Sequence, residues 1–444
     1  MKESVKQTNE EFTNVYFLGI GGIGMSALAR YFRFRGYIVA GYDRTPSVIT
    51  DELCAEGIDI FFSEDISVIP SSFLSPQHTI VVRTPAVPCD HKQLEYFVRG
   101  GYRIYKRSEI LGIITRRMQA LCVAGTHGKT TTSTILAHLL YQSEIGCNAF
   151  LGGISENYGT NLLLMPDSNY VVVEADEFDH SFWELRPYMS IITSIDPDHL
   201  DIYGDADGFY AGFSRYASLI QPGGVLLLKK GIDLKPELQK GVKVYTYSAC
   251  EVADFYAENI IQRSGSIYFD FVTPTSRIDN LKLGVPIYIN IENSVAAMSL
   301  AWLNGVSATE IRLALASYSG VYRRFNIHLN TEDIVYIDDY AHHPTELKAS
   351  IESVRQLYPG RKLTGIFQPH LYSRTRDFAD GFASALSLLD EVILLPIYPA
   401  REEPIEGINS EMLLDKIDCK NKSVVEKSEL MNCLEGRRDR KSTR

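Results

Sequence analysis

One short segment of the sequence combines glycines, a lysine and three threonines at a spacing that suits phosphate binding. The segment GTHGKTTT covers residues 125–132, and an apolar run that favours a β-strand precedes it. Gly125 and Gly128 allow a tight turn whose backbone N–H groups point inward. Lys129 adds a positive charge, the Thr130 hydroxyl suits Mg²⁺, and the helical pattern that follows adds a positive helix end. The spacing therefore predicts a site for the phosphates of a nucleoside triphosphate.

This loop is shorter than the common pattern G-x-x-x-x-G-K-[ST]. That pattern requires a glycine where this chain has Val123. An ordinary glycine turn between a buried strand and a helix is the alternative interpretation. Such a turn has no need of the run Gly-Lys-Thr-Thr-Thr, so phosphate binding is favoured.

Two later strand patterns end in acidic residues. Because the carboxyl ends of parallel strands meet at one edge of a sheet, we expect both clusters to converge on the edge that carries Lys129. Carboxylate oxygens there suit Mg²⁺, whereas imidazole is a poor magnesium ligand, so a core histidine is an alternative for His199. Gly152 and Gly153, with Asn157, Thr160 and Asn161, predict a polar glycine loop that approaches a ligand. An Ω-loop without a ligand contact is an equal alternative. The first cluster contains Glu174, Asp176 and Glu177, and the second contains Asp196, Asp198 and His199.

A second glycine turn lies near the start of the chain. Gly19, Gly21 and Gly24 satisfy G-x-G-x-x-G between a strand and a helix, and Asp43 closes the next strand. The pattern predicts a diphosphate above the helix, with Asp43 accepting from a ribose hydroxyl. NAD and other nucleotide diphosphates fit this turn equally, so an NAD-dependent oxidoreductase is a rival hypothesis. Thr84 follows another predicted strand. It could belong to an ordinary surface loop or contact a ligand, and the sequence fits both interpretations.

The last third of the chain also places polar residues after strands. Just before this third of the chain, Asn290 and Asn293 stand at the start of a predicted apolar helix. The pair could cap the helix or contact a nucleotide base, and the sequence fits both interpretations. The pair His342-His343 beside two aspartates favours binding of substrate or phosphate oxygens over a metal site, because adjacent histidines cannot share one helical face. Arginine forks suit carboxylates and phosphates, and Arg374 and Arg376 follow the run FQPH.

Length and composition limit the class of protein. At about 150 residues per domain, 444 residues predict about three domains, and we assign 1–107, 108–320 and 321–444. Strands alternate with helices in each, which predicts an α/β fold. A net charge of −11 disfavours nucleic-acid binding. The sequence contains no apolar run of about 18 residues, so membrane insertion is not predicted. The polar first residues predict no signal peptide. Seven irregularly spaced cysteines favour a reducing cytoplasm.

Taken in order over nearly the whole chain, these motifs resemble the Mur ligase family. The resemblance implies an N-terminal Rossmann-like domain that binds a UDP end, a central P-loop ATPase-type domain with a mostly parallel sheet, and a C-terminal Rossmann-like domain that delivers an amino acid. The motifs that carry it are LGIGGIGMSALA, GTHGKTTT, VVVEADEFDHSF, TSIDPDHLDIY, the Asn290/Asn293 pair, SGVYRRF, DDYAHHPTE, FQPHLYSRT and YPAREEPIEGINS.

The resemblance also implies a reaction. ATP, with two Mg²⁺ ions, phosphorylates the lactyl carboxylate of UDP-N-acetylmuramate, and the amine of L-alanine attacks the acyl phosphate. A sister ligase that attaches a murein tripeptide to the same sugar nucleotide is the alternative, which Tyr340 and the segment EEPIEG disfavour. A catalytically inactive nucleotide-binding regulator is a further alternative.

Residue roles follow from the matched motifs. Catalytic roles are implied for Lys129, His199, His343 and Arg374, with His342 or His343 as the base for the amine. Thr130 and Glu174 resemble ligands of one Mg²⁺ and His199 a ligand of a second. The ATP side is Gly125, Thr126, His127, Gly128, Lys129, Thr130, Thr131, Asn290, Asn293 and Arg324. The UDP side is Gly19, Gly21, Gly22, Gly24, Met25, Ser26, Asp43 and Thr84. The amino-acid side is Tyr340, His342, Arg374 and Arg376.

The chain departs from the family pattern at three places. Ile289 stands where a histidine usually precedes the asparagine motif, and Leu371 stands where several relatives have arginine. The ending NCLEGRRDRKSTR is basic and has no strand pattern. We therefore expect the third domain to lack its last edge strand.

Overall fold

A computed structural model describes residues 12–263, 265–400 and 402–438. Contacts divide the chain into two compact units. One unit runs up to Val285 and includes Asn290–Tyr322, and the other contains Pro286–Ile289 and the residues from Arg323 onward. The first unit includes the segments predicted as two domains. The domain limits given above remain predictions.

The first sheet is built from five parallel strands in the order β3-β2-β1-β4-β5. Its apolar strands are buried on both faces, as expected for a parallel sheet covered by helices. Its elements are β1 (Asn14–Leu18), α1 (Ile23–Phe34), β2 (Ile38–Tyr42), α2 (Val48–Ala55), β3 (Asp59–Phe61), β4 (Thr79–Arg83), α3 (Lys92–Arg99) and β5 (Arg103–Lys106).

The second sheet has ten strands and lies in the same unit. Their order is β15-β14-β13-β12-β11-β10-β6-β9-β7-β8, parallel in the centre and antiparallel at both edges. Its elements are α4 (Arg107–Arg117), β6 (Gln119–Ala124), α5 (Lys129–Tyr141), β7 (Asn148–Ser155), β8 (Thr160–Leu163), β9 (Tyr170–Glu174), β10 (Met189–Ile192), α6 (Leu200–Tyr203), α7 (Ala206–Ala217), β11 (Val225–Lys229), β12 (Lys243–Ser248), β13 (Phe255–Arg263), β14 (Ser266–Val272), β15 (Arg277–Lys282), α8 (Tyr288–Leu303) and α9 (Ala308–Ser317).

One apolar core joins the two sheets of this unit. Val15 and Phe17 of β1 belong to the same buried cluster as Cys122 of β6 and Val173 of β9. Tyr31 of α1 also packs edge-on against Phe150 of β7, with ring centroids 5.4 Å apart. This continuous burial is why the first two predicted segments form one compact unit.

The second unit contains a two-stranded antiparallel sheet and a three-stranded parallel sheet of order β18-β19-β20. Residues 439–444 of the basic ending lie outside the described residues, and the missing edge strand remains a prediction. The elements are β16 (Asn326–Asn330), β17 (Val335–Asp338), α10 (Pro344–Leu357), β18 (Thr364–Phe367), α11 (Tyr372–Asp377), α12 (Ala379–Leu386), β19 (Glu391–Leu394), α13 (Ser410–Lys416), β20 (Lys422–Val424) and α14 (Leu430–Arg438).

The mostly parallel sheets confirm the predicted α/β class. Within the part of the chain that the structure describes, no helix is both long enough and apolar enough to cross a membrane.

Candidate active site

The glycine loop connects the end of β6 to the start of α5. Gly125 and Gly128 have φ angles of 133° and 78°, which L side chains rarely adopt. A Cβ on Gly125 would stand 2.1 Å from the Thr193 hydroxyl, and one on Gly128 would stand 2.9 Å from Asn293 Oδ1. Both glycines are therefore required by backbone conformation and by close packing.

The sequence predicts that the backbone N–H groups of this loop point inward toward the phosphates. Two of them do not. The N–H of Thr126 donates to Ser194 O at 3.2 Å, and that of His127 donates to Ser194 Oγ at 2.8 Å. These two groups anchor the loop to the end of β10. The first turn of α5 supplies the N–H groups that have no partner within the helix, and these suit an anion.

The strand ends converge as expected. β6 lies between β10 and β9, with parallel pairing on both sides. The acidic residues at the end of β9 and directly after it therefore reach the glycine loop. Glu174 Oε1 accepts a hydrogen bond from the Thr130 hydroxyl at 3.2 Å. A carboxylate beside a threonine hydroxyl fits the oxygen ligands that Mg²⁺ prefers, together with phosphate oxygens.

Glu177 forms an ion pair with the lysine of the loop, and the sequence had placed it only in the acidic cluster. Its carboxylate oxygens lie 2.7 and 2.8 Å from Lys129 Nζ. Only 14% of the Lys129 side chain and 3% of the Glu177 side chain are exposed. Burial raises the pKa of Glu177 to about 7, although Lys129 opposes this shift. Burial also lowers the pKa of Lys129, but the neighbouring carboxylates, chiefly Glu177, outweigh it and raise the pKa overall.

Gly152 lies in β7, beside the Glu174 carboxylate, at a position where the sequence predicts a polar loop. That prediction was wrong for the residues in β7 and β8, because these strands pair as an antiparallel hairpin, whereas Asn157 does lie in the turn between them. A Cβ at residue 152 would stand 2.2 Å from Glu174 Oε2. The glycine therefore makes room for the carboxylate, which explains its place inside a strand.

His199 precedes α6 in a left-handed conformation, with a φ angle of 53°. Its backbone N–H donates to Asp198 Oδ1 at 2.8 Å, and its ring packs edge-on against Phe178. The side chain is 22% exposed. A histidine fully enclosed in the core, one of the two interpretations of its sequence, does not describe this residue.

The two asparagines lie within α8 rather than at its N-cap, so neither is a capping residue. Asn293 Oδ1 accepts from the Thr132 hydroxyl of α5 at 3.2 Å, and Asn293 Nδ2 donates to Asn290 Oδ1 at 3.3 Å. Asn290 in turn donates to Val285 O at 3.4 Å. This chain of contacts ties α8 to the helix that carries the phosphate loop. Ile289, the departure from the family pattern, is 41% exposed.

The N-terminal glycine turn is held by Asp43. Asp43 Oδ2 accepts from the N–H of Gly21 at 2.6 Å, and Oδ1 accepts from the N–H of Arg44 at 2.7 Å. The carboxylate predicted to meet a ribose therefore also supports the turn. Thr84 packs against Gly19, and Arg107 packs against Gly24. Arg107 is the first residue of α4, and no sequence motif had indicated it.

Two other residues predicted for the UDP side have inward side chains. Met25 and Ser26 of α1 are 3% and 1% exposed. The Ser26 hydroxyl donates to Ile23 O at 3.0 Å. Gly22 precedes the first turn of α1. A ligand above the helix would therefore meet the backbone of this turn rather than these two side chains.

In the second unit, the predicted histidines flank the start of α10. His343 is its N-cap, and its Nδ1 accepts from the N–H of Thr345 at 3.3 Å. His342 Nδ1 lies 2.9 Å from Tyr340 O and 3.5 Å from Glu346 Oε2. Burial lowers the pKa of His342, although Glu346 opposes the shift. The ring is therefore neutral near pH 7.

Two arginines, Arg323 and Arg324, lie near the Tyr340 ring in the same unit. The Arg324 guanidinium lies 5.1 Å from the Tyr340 ring centroid, a cation–π distance. Burial is the main cause of the lowered pKa of His342, and the positive charge of Arg374, in α11, lowers it as well. Arg376 is 53% exposed and pairs with its neighbour Asp377 at 2.7 Å. Leu371, before α11, has a φ angle of 70°.

A glycine loop with a buried lysine, beside carboxylates at neighbouring strand ends, defines a P-loop nucleotide-binding enzyme of the α/β class. Three sequence models of one family match the chain. They are described as Mur ligase family, catalytic domain (residues 14–119), Mur ligase middle domain (123–301) and Mur ligase, glutamate ligase domain (323–436). The chain belongs to the Mur ligase family, which confirms the resemblance.

Individual relatives agree with this assignment. The chain is 58% identical over 422 residues to a UDP-N-acetylmuramate–L-alanine ligase of Parabacteroides distasonis, covering 95% of this chain and 91% of that protein. The crystal structure of the UDP-N-acetylmuramate-alanine ligase of Thermotoga maritima is 27% identical, with a TM-score of 0.77, over 94% of this chain and 92% of that one. A murein peptide ligase of Psychrobacter arcticus shares the fold, at 22% identity and a TM-score of 0.67, over 94% of this chain and 92% of that one.

Proposed function

We propose that this chain joins L-alanine to the lactyl carboxylate of UDP-N-acetylmuramate in peptidoglycan precursor synthesis, with ATP converted to ADP and phosphate. The 58% identical relative is a UDP-N-acetylmuramate–L-alanine ligase, which supports the choice of substrates. The observation that carries the proposal is the glycine loop, where Lys129, Thr130 and Glu174 meet. Phosphorylation of a carboxylate requires such a cluster, because negative charge develops on the transferring phosphoryl group.

Each loop residue has a separate task in this proposal. Lys129 donates to the phosphates, and the N–H groups at the start of α5 bind their oxygens. Thr130 and Glu174 hold Mg²⁺, which neutralises phosphate charge when it is bound. We assign His199 to a second Mg²⁺, since its ring is partly exposed beside the second acidic cluster. Asn290, Asn293 and Arg324 serve the adenosine side.

The amine of alanine must be neutral to attack the acyl phosphate. His342 suits the role of base better than His343. Its Nδ1–H donates to Tyr340 O, which leaves the lone pair of a neutral ring on Nε2. The Nδ1 of His343 instead caps α10. We assign the Arg374 guanidinium, which can donate two parallel hydrogen bonds, to the alanine carboxylate. Tyr340 and Arg376 are assigned to the same amino-acid side of the site.

The N-terminal turn takes the UDP diphosphate in this proposal. Gly19, Gly21, Gly22 and Gly24 form the turn, and Thr84 and Asp43 border it. Membership of the Mur ligase family removes the oxidoreductase hypothesis, because that chemistry gives Lys129 no task. We place the reaction in the cytoplasm. The described cysteines, which are all free thiols, support that location.

A phosphate-release assay tests the proposal. ATP, Mg²⁺ and UDP-N-acetylmuramate are supplied with either L-alanine or a murein tripeptide. We expect release with L-alanine, and we expect Lys129→Ala to lower kcat/KM at least about 100-fold, as for other lost donors to a developing anion. Release with the tripeptide alone would identify the sister ligase instead. Unchanged activity in Lys129→Ala would reject the whole scheme.

A further inference from the structure

All three protons of the Lys129 ammonium already have acceptors within the protein. Nζ lies 2.7 Å from Gly125 O and 2.7 and 2.8 Å from the two oxygens of Glu177. Thr126 O lies further away, at 3.4 Å. An ammonium group has three donors and no acceptor. A phosphate oxygen can therefore bind Lys129 only by replacing one of these partners.

Glu177 is the partner that can be replaced. Gly125 O belongs to the backbone of a turn whose conformation is fixed by its packing on Thr193. The Glu177 carboxylate carries the same sign of charge as the incoming phosphates, so it is repelled as they approach. It cannot turn to water, because only 3% of its side chain is exposed.

Among the residues that the structure describes, Lys129 is the cation that acts on the Glu177 carboxylate. The charged groups that act on it are Lys129 from α5 and the carboxylate of Asp176, which precedes it in the chain. From α6, the Tyr203 hydroxyl donates to the backbone carbonyl of Glu177 at 2.7 Å, not to its carboxylate. A buried carboxylate without an opposing charge is costly, and it lowers that cost by binding a proton.

We propose that Glu177 is a positioning residue that holds Lys129 at the loop before nucleotide binds, and that its carboxylate takes up one proton from solvent when a nucleoside triphosphate displaces it. The proposal rests on the proposed function only in so far as the loop binds ATP. In the step, the Lys129 ammonium keeps its three protons and changes acceptor. One carboxylate oxygen of Glu177 gains an O–H bond, and its negative charge is lost.

The sign of the pH dependence follows. Burial has already raised the pKa of Glu177 to about 7, and losing Lys129 raises it further. Well above that pH, Glu177 is ionised before binding and protonated afterwards, so uptake approaches one proton. Well below that pH, it is protonated in both states and uptake is small. Because binding takes up a proton, ATP affinity falls as the pH rises, by up to about tenfold per pH unit.

Calorimetry of the full chain measures this uptake directly. Mg²⁺ and ATP are titrated at pH 8.0 and at pH 6.0, without UDP-N-acetylmuramate or alanine, in two buffers that differ in ionisation enthalpy. The buffer dependence of the heat gives the number of protons bound. We expect roughly 0.5 to 1 proton per ATP at pH 8.0 and a much smaller number at pH 6.0.

Two variants identify the group. In Glu177→Gln the amide oxygen still accepts from Lys129 but cannot ionise, so we expect ATP binding without proton uptake and with little dependence on pH. Asp179→Asn removes a carboxylate from the same segment, 45% exposed and paired with Lys106, and should retain the uptake. Near-ultraviolet circular dichroism shows whether each variant folds.

The outcomes are distinguishable. ATP binding by the unmodified chain with no proton uptake at pH 8.0 overturns the inference but leaves the proposed function intact. Uptake that persists in a folded Glu177→Gln variant also overturns it, because another group then takes the proton. No ATP binding at either pH contradicts the proposed function itself.

Discussion

Substituting Gly152 by alanine tests how β7 supports the loop. The three heavy atoms nearest to a Cβ at this position all belong to the Glu174 carboxylate, at 2.2, 2.5 and 2.5 Å. A Cβ atom cannot come so close to another non-bonded heavy atom, so the Glu174 carboxylate must move. It would then lose its hydrogen bond from the Thr130 hydroxyl, now 3.2 Å long. The change in β7 therefore acts on the loop through Glu174.

The expected cost can be estimated from opposing effects. Overpacking of this kind destabilises by about 1 to 3 kcal/mol. Replacing a strand glycine by alanine stabilises by about 0.5 to 1 kcal/mol, because the unfolded chain has less freedom. The clash is larger, so we expect Gly152→Ala to lower the free energy of unfolding by roughly 0.5 to 2 kcal/mol. In a Glu174→Ala background the clash is absent, and the same change should stabilise.

Urea denaturation of the four proteins in this double-mutant cycle measures the effect. The sign of the Gly152→Ala effect should reverse between the two backgrounds, with a coupling of at least about 1 kcal/mol. In phosphate-release assays, the Mg²⁺ concentration for half-maximal rate should rise about 10- to 100-fold in Gly152→Ala, as when the support of a metal ligand is lost. An equal cost in both backgrounds would refute the argument.

Two further contacts can be tested by substitution. His343→Ala removes the N-cap of α10 and should cost about 0.5 to 2 kcal/mol; His343→Asn should restore both stability and alanine-dependent turnover, and turnover lost despite restored stability would show that His343 has a chemical role. Asn293→Ala leaves the buried Thr132 hydroxyl without its acceptor and should cost about 1 to 3 kcal/mol in urea denaturation. Adding Thr132→Val should recover part of that cost, and no recovery would argue against this contact.

Local patterns in the sequence predicted much of the fold. The apolar run before Gly125 is β6, and the helical pattern after it begins at Lys129. Pro344 begins α10, as its fixed φ favours. The acidic residues after β9 and β10 reach one edge because both strands pair with β6 in parallel. These features depend on residues close together in the chain, where periodicity and turn chemistry are informative.

Contacts between residues that lie far apart in the sequence could not be predicted in the same way. Lys129 and Glu177 are 48 positions apart, and Thr132 and Asn293 are 161 apart. Asn161, expected in a loop, donates from β8 to Ile23 O of α1 at 2.8 Å. Nothing in local periodicity selects one carboxylate of a cluster as the partner of a lysine. A glycine such as Gly152 reads as a loop residue until the position of Glu174 is known.

Backbone strain next to Glu177 supports the view that this segment is positioned for function. Asp179 and His180 both have left-handed φ angles, 52° and 54°. Such conformations cost about 1 to 3 kcal/mol each and persist only where neighbouring contacts impose them. Here the His180 ring stacks on Trp183 at 3.9 Å, and Tyr203 binds the Glu177 carbonyl. A segment needed only to connect β9 to β10 could relax, whereas one that must present Glu177 to Lys129 cannot.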